Sequence, residues 1–166
     1  NSSCDDKVRF SIVEMFEKEI DDKTLSLKME KVIFNYVIRK SKEKYFFGGH
    51  GIVGAQIGLG AGLAFAEKYK ETDNVVLAMF GDGAVWQGIL HETMNMSKLW
   101  NLPVIFICEN NGYAMGTSVK RSAASKDIYK LGEAFDIPSM PVDGMDPAAV
   151  HDAISDATEL CRSGNG

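Results

Sequence analysis

The sequence predicts an α/β domain built on a parallel sheet with helices on both faces, and three observations predict it. Two short apolar runs, residues 75–80 (VVLAMF) and 104–108 (VIFIC), have the length and unbroken hydrophobicity of strands buried on both faces. Between them one amphipathic helix is expected from about residue 88 to residue 100. Leu90, Thr93, Met94, Met96 and Leu99 are expected on its apolar side, and His91, Glu92 and Lys98 outward. Pro103 then prevents continuation of the helix and opens the second strand. The three elements make a strand–helix–strand crossover of about thirty residues, right-handed if both strands share one sheet.

The bulk properties suit such a domain. At 166 residues the chain can bury one core, and 45% hydrophobic with 25% charged residues is ordinary globular composition. A net charge of -5 and the lack of a basic patch with interleaved aromatics speak against nucleic acid as a partner. Cys4, Cys108 and Cys161 are too widely spaced for a zinc site or a disulfide framework, and Cys108 lies in an apolar run, where it serves as a small hydrophobe. The first residues, NSSCDDKVRF, do not read as a signal peptide, so a reducing compartment is expected.

Residues 1–44 read as a separate helical segment. Val8, Ile12, Phe16 and Ile20 recur at helical spacing, Asp21, Asp22 and Lys23 interrupt, and Leu25, Met29, Val32, Ile33 and Tyr36 form a second stripe. Both stripes suit core or partner contacts. Gly49, Gly51 and Gly54 then spell G-x-G-x-x-G. A dinucleotide fingerprint needs a strand before it and an acid at the end of a second strand about twenty residues on, whereas Glu71 and Asp73 precede the next strand.

Residues 51–66 are rich in small side chains, with Gly54, Gly58, Ala61 and Gly62 at helical spacing. Each glycine costs a helix about 1 kcal/mol relative to alanine, so this face must lie tight against a neighbour. The stretch is too short for a membrane span and contains Gln56.

The polar residues fall at the ends of the two strands. Gly81-Asp82-Gly83 follows the first and Glu109-Asn110-Asn111-Gly112-Tyr113 the second, so both clusters reach the carboxyl edge of one parallel sheet, where open α/β sheets bind ligands. Asp82 offers a carboxylate, Asn111 an amide oxygen and Tyr113 a main-chain carbonyl. Such hard oxygens suit Mg²⁺, which takes few protein ligands and completes its octahedron with phosphate or water. Gly81 and Gly83 would let backbone N–H groups approach a phosphate. Taken singly, each cluster is equally an ordinary turn.

GDG followed about thirty residues later by NN resembles the thiamin diphosphate motif. The stretch GDGAVWQGILHETMNMSKLWNLPVIFICENNGYAMGTSVKRSAAS resembles the E1 α subunits of thiamin diphosphate-dependent 2-oxo acid dehydrogenases, the pyruvate type above all. The likeness covers about residues 45–166 and implies the thiamin diphosphate-binding fold for them, incomplete at the carboxyl end, since the family continues into another strand and a histidine-bearing loop. It implies thiamin diphosphate and Mg²⁺ as cofactors, with Asp82, Asn111 and Tyr113 on the metal. Gly51, Val53, Asp82, Gly83, Ala84, Asn111 and Tyr113 would contact the cofactor, Val53 by pressing under its bend.

The activity implied is oxidative decarboxylation of pyruvate with acetyl transfer to lipoyl. The partners implied are an E1 β subunit, which carries the activating glutamate, and a lipoyl-bearing E2 component. The location implied is the cytoplasm or the mitochondrial matrix. Two alternatives stay open. One is an acetoin or branched-chain enzyme, against which Gly116-Thr117-Ser118 favours the pyruvate type. The other is a truncated, non-catalytic binding or assembly domain, which Trp86 favours, because it stands where the family usually has a small polar residue. Glu92, Glu109 and His50 are candidates by charge or position alone. Further on, residues 120–125 are expected as an exposed loop, 127–133 as helix, 138–146 as an edge strand and turn, and 147–161 as a final helix opened by Pro147.

Overall fold

Two six-residue strands, β1 (Val76–Gly81) and β2 (Val104–Glu109), pair in parallel, in register from Val76 opposite Val104 to Gly81 opposite Glu109. The computed structural model describes residues 45–166, and within it His50–Gly166 forms one compact unit. The two helical stripes expected before Tyr45 lie outside the described residues. The parallel α/β arrangement is therefore as expected, with strand bounds within a residue of those read from the sequence.

The strands are covered unequally. Ala78 and Phe80 are buried, whereas Leu77 and Met79, on the opposite face of β1, are 46% and 50% exposed. The expectation of burial on both faces thus holds for one face of β1 among the described residues. The physical reason is that α1 (Ala55–Tyr69) and α2 (Gly88–Leu99) both contribute to the same side. Ile57 of α1 and Leu90 and Met94 of α2 cluster with Phe80, while Ala61 and Ala64 of α1 cluster with Ala78, Leu102 and Val104.

Helix α2 shows how periodicity overrules residue type. Leu90, Thr93, Met94 and Ser97 are its buried residues. Met96 and Leu99, expected inside, are 43% and 71% exposed. Leu99 follows Leu90 by nine positions, about two and a half turns, and so points the opposite way. His91 is half-buried with its ring edge-on to Phe135, and Glu92 faces outward. Lys68 of α1 donates to the carbonyls of Trp100, at 2.5 Å, and Asn101, at 3.2 Å, capping the end of α2 with a cation where the helix dipole favours one.

The glycines of α1 divide among different surroundings rather than forming one stripe. Gly54, in the left-handed region with φ 82, caps the helix against Gln87 and Ile89. Gly58 faces Ile89, where a Cβ would lie 3.3 Å from its Cδ1. The tightest approach belongs to Gly60, which the expected stripe omitted: a Cβ there would come within 2.9 Å of the Ala78 Cβ on β1. Gly62 faces open space.

Beyond β2 the chain makes a short antiparallel hairpin, β3 (Tyr113–Ala114) with β4 (Thr117–Ser118), then a single helical turn, α3 (Val119–Ser122), where an exposed loop was expected. A 3-10 helix, Ile128–Phe135, buries Ile128 and Gly132. Residues 137–143 form no strand, contrary to expectation. Pro138 and Pro141 each lack the N–H that a ladder needs, and Met140 and Val142 are exposed. The last helix, α4 (Pro147–Leu160), is capped by Asp146, whose Oδ1 accepts from the N–H groups of Ala148 and Ala149. Arg162 donates from Nε to the Asp73 carbonyl at 3.1 Å, tying the end of α4 to the approach to β1. Among the described residues no helix is long and apolar enough to cross a membrane.

The contrast between Gly60 and Gly62 is testable. Gly60→Ala should lower stability, because overpacking against a strand costs about 1 to 3 kcal/mol and exceeds or cancels the helix-propensity gain. Gly62→Ala should raise stability by up to about 1 kcal/mol. Urea unfolding of the two variants beside the parent measures both, and a Gly60→Ala midpoint above the parent's would contradict the close α1–β1 packing.

Candidate functional site

Residues at the carboxyl edge of the β1–β2 pair are placed by the strand register. Because Gly81 lies opposite Glu109, Asp82 and Asn110 leave the sheet side by side. Asp82 opens a 3-10 helix, Asp82–Trp86, whose Ala84 and Val85 enter the core. That tight turn draws the Asp82 side chain inward: it is 3% exposed, and its Oδ2 has no hydrogen-bond partner. An unpaired buried carboxylate oxygen is costly. It is an acceptor waiting for a cation or a donor.

The second cluster is a turn held by its own side chains. The Asn110 Oδ1 accepts from the Gly112 N–H at 3.1 Å, and the Asn111 Oδ1 accepts from the Tyr113 N–H at 2.9 Å. Gly112 has φ +84, and its carbonyl accepts from the Val119 N–H at 2.9 Å. Asn111 is exposed, and its amide oxygen keeps a second lone pair. The Tyr113 side chain is 60% exposed.

Gly83 has a packing reason that the sequence did not show. A Cβ at Gly83 would lie 2.5 Å from the Ala114 Cβ, so the glycine admits the hairpin against the 3-10 helix. At Gly81 a Cβ would meet nothing within 4 Å, and that backbone remains open to approach.

Gly51 and Val53 stand in the turns ahead of α1. Val53 is 60% exposed, which excludes a core role for it, and a Cβ at Gly51 would meet nothing within 4 Å. Gly54 packs on Gln87 and Ile89, so this loop reaches the place where the 3-10 helix passes into α2. Residues 45–50, ahead of Gly51, form no strand. His50 and Glu109 are exposed, and Trp86 is 38% exposed.

Gln56 was not anticipated as a site residue. From the first turn of α1 its Nε2 donates to the Met79 carbonyl near the end of β1 at 3.3 Å, while its Oε1 is buried without a partner. A lone amide in a small-residue helix carries no periodic signal that would have revealed it. Cys108 is held as a neutral thiol near neutral pH: burial pushes it up to about 11, with further increments from the negative charges of Asp82 and Glu109. A hollow of about 580 Å³ lies between β2, the 128–135 helix and α4; it is lined by Asn110 but not by Asp82 or Asn111, and is largely apolar. The described residues contain no group of three or more His, Cys, Asp or Glu placed to hold a metal. A cation at this edge would therefore depend on one carboxylate and neutral oxygens.

Comparison with known proteins follows the same outline. The family model for the dehydrogenase E1 component matches residues 11–166, beginning well ahead of Tyr45. The pyruvate dehydrogenase E1 component subunit alpha of Rhizobium meliloti (strain 1021) is 60% identical over 126 residues, 76% of this chain and 36% of that protein. The mitochondrial counterpart of Dictyostelium discoideum is 60% identical over 74% of this chain and 32% of its own length. The mitochondrial somatic form of Bos taurus is 57% identical over 74% and 31% respectively. The chain thus spans about a third of the length of these relatives.

Asp82 can be probed through its neighbour. Asp82→Asn removes the nearby negative charge, so the Cys108 thiol should ionise at lower pH while burial still holds it above its ordinary value. The alkaline pH profile of Cys108 alkylation, read by peptide mass spectrometry, should move to lower pH in the variant; an unmoved or raised profile would contradict the placement.

Proposed function

Because this chain belongs to the dehydrogenase E1 component family, we propose that it is the cofactor-holding part of a pyruvate dehydrogenase E1 α subunit. In this reading residues 45–166 form the cofactor-binding domain and residues 1–44 a separate segment ahead of it. The observation that carries it is the buried Asp82 carboxylate, whose unpartnered Oδ2 sits at the carboxyl edge beside the Asn110–Asn111–Gly112 turn.

The residues present suit Mg²⁺ with thiamin diphosphate. Asp82 supplies the only anionic ligand, Asn111 the free lone pair of its amide oxygen, and Tyr113 its main-chain carbonyl; diphosphate and water would complete the hard-oxygen sphere. Gly83 and Ala84 offer backbone N–H groups at the start of the 3-10 helix, and the open backbone of Gly81 leaves room for a phosphate. Gly51 and exposed Val53 serve the other end of the cofactor, Val53 as an apolar support under its bend. When bound, thiamin diphosphate supplies the electron sink for decarboxylation of a 2-oxo acid. This chain's task would be orientation and charge: the buried Asp82 carboxylate would hold the cation, while the neighbouring Cys108 stays a neutral thiol.

The reaction is oxidative decarboxylation of pyruvate with acetyl transfer to lipoyl, carried out with an E1 β subunit that provides the activating glutamate and with a lipoyl-bearing E2 component. The named relatives, bacterial and mitochondrial, are pyruvate dehydrogenase subunits, which supports pyruvate over acetoin or branched-chain substrates and leaves the cytoplasm and the mitochondrial matrix as the two locations. Trp86 favours a second reading, an assembly domain that binds no cofactor, since a bulky indole with one N–H donor stands at the end of the 3-10 helix.

Calorimetry with Mg²⁺ and thiamin diphosphate, on the chain alone and with an E1 β subunit, separates the two. Binding by the parent, weakened at least about tenfold in Asp82→Ala, is expected from the roughly 1.5 kcal/mol or more that a charged contact contributes. Equal binding by the variant would remove Asp82 from the site. No binding by the parent under either condition would overturn the cofactor-holding reading.

A further inference from the structure

The turn between β2 and β3 holds a piece of chemistry that cofactor binding does not use: Asn111 is followed by Gly112. We propose that Asn111 is a site of spontaneous deamidation, restrained by the hydrogen bond that Asn110 accepts from Gly112. Four features of the turn support this.

Asn111 is exposed, so water and hydroxide reach it. Gly112 has no Cβ to obstruct attack by its own nitrogen, and its φ of +84 is one that few side-chain-bearing residues would hold. The Tyr113 N–H donates to the Asn111 Oδ1 at 2.9 Å, which polarises that carbonyl and would stabilise negative charge developing on its oxygen. Opposing these, the Gly112 N–H donates to the Asn110 Oδ1 at 3.1 Å. That bond stabilises the protonated nitrogen and would be replaced by repulsion once the proton left.

The reaction balances with water as the only co-reactant. The Gly112 nitrogen gives its proton to hydroxide and attacks the Asn111 Cγ; the new N–Cγ bond forms as the Cγ–Nδ2 bond breaks, and the amide leaves as ammonia after taking a proton from water. Water then opens the resulting succinimide at either carbonyl, leaving aspartate or isoaspartate at position 111. No electrons change hands. Isoaspartate routes the main chain through Cγ, lengthening the turn that sets the hairpin, whose Ala114 lies against Gly83. A further consequence, conversion of a neutral metal ligand into a charged one, rests on the cofactor reading above; the deamidation itself does not.

The full 166-residue chain is incubated in mildly alkaline buffer, and the tryptic peptide ending at Lys120 is sequenced by fragmentation that distinguishes isoaspartate. Conversion at Asn111 should outpace that at Asn101 and Asn110 in the same peptide and rise with pH. Asn110→Ala should speed it about fivefold, the worth of one neutral hydrogen bond. Asn110→Asp keeps an acceptor on the Gly112 N–H and should convert no faster than the parent. The site is overturned if Asn111 stays an amide while Asn101 or Asn110 converts. The restraint is overturned if Asn110→Ala leaves the rate unchanged or lower, or if both variants rise alike. Because the readout is the mass of position 111, a chain that never binds thiamin diphosphate leaves this test intact.

Discussion

The in-register parallel pairing of β1 with β2 is the constraint on which the rest of this structure depends. Gly81 opposite Glu109 is what makes Asp82 and the Asn110–Asn111–Gly112 turn leave the sheet at one edge. A slip of one residue would turn Phe80 away from Ile57, Leu90 and Met94 and bring Met79 inward. The apolar core therefore guards the geometry of a polar edge that contributes little to stability itself. Close packing of α1 adds to this, since Gly60 seated on Ala78 allows little lateral shift between helix and strand.

Against that consistent core, the unsatisfied polar atoms stand out. Among the described residues the buried side-chain acceptors without a partner are Gln56 Oε1, Asp82 Oδ2 and Ser97 Oγ. Two of them gather near the end of β1, where Gln56 reaches the Met79 carbonyl and Asp82 follows Gly81. Proteins tolerate local violations of polar satisfaction mainly where function asks for them. The same edge carries Gly112 at positive φ and Met115, fully exposed at φ 54, in the hairpin that leans on Gly83. Charge, backbone irregularity and exposed aromatic and sulfur side chains thus collect at one end of the sheet, while the opposite end is tied by Arg162 and Lys68 to main-chain carbonyls.

The sequence by itself determined the two strands, the helix between them and the polar edge, because each rests on a short-range rule: unbroken apolar runs, a 3.6-residue period, and proline or glycine at element ends. The final helix was legible for the same reason, with Pro147 marking its start; the Asp146 cap came only with the structure. Tertiary structure alone decided matters that depend on what lies alongside. Residue type placed Met96 and Leu99 inside, but the packing of α2 against Ile57 and Phe80 left them in solvent and brought Ser97 in. Helical spacing grouped Gly54, Gly58, Ala61 and Gly62, but their neighbours set Gly54 and Gly58 against Ile89 and Gly62 in open space, and the closest approach to β1 fell to Gly60, outside that group. A glycine between Asp82 and Ala84 could equally serve a phosphate or a neighbouring side chain, and only the fold showed Ala114 against it. Periodicity reports the direction in which a side chain leaves its own backbone; what it meets there is set by elements distant in sequence, and no local pattern encodes that.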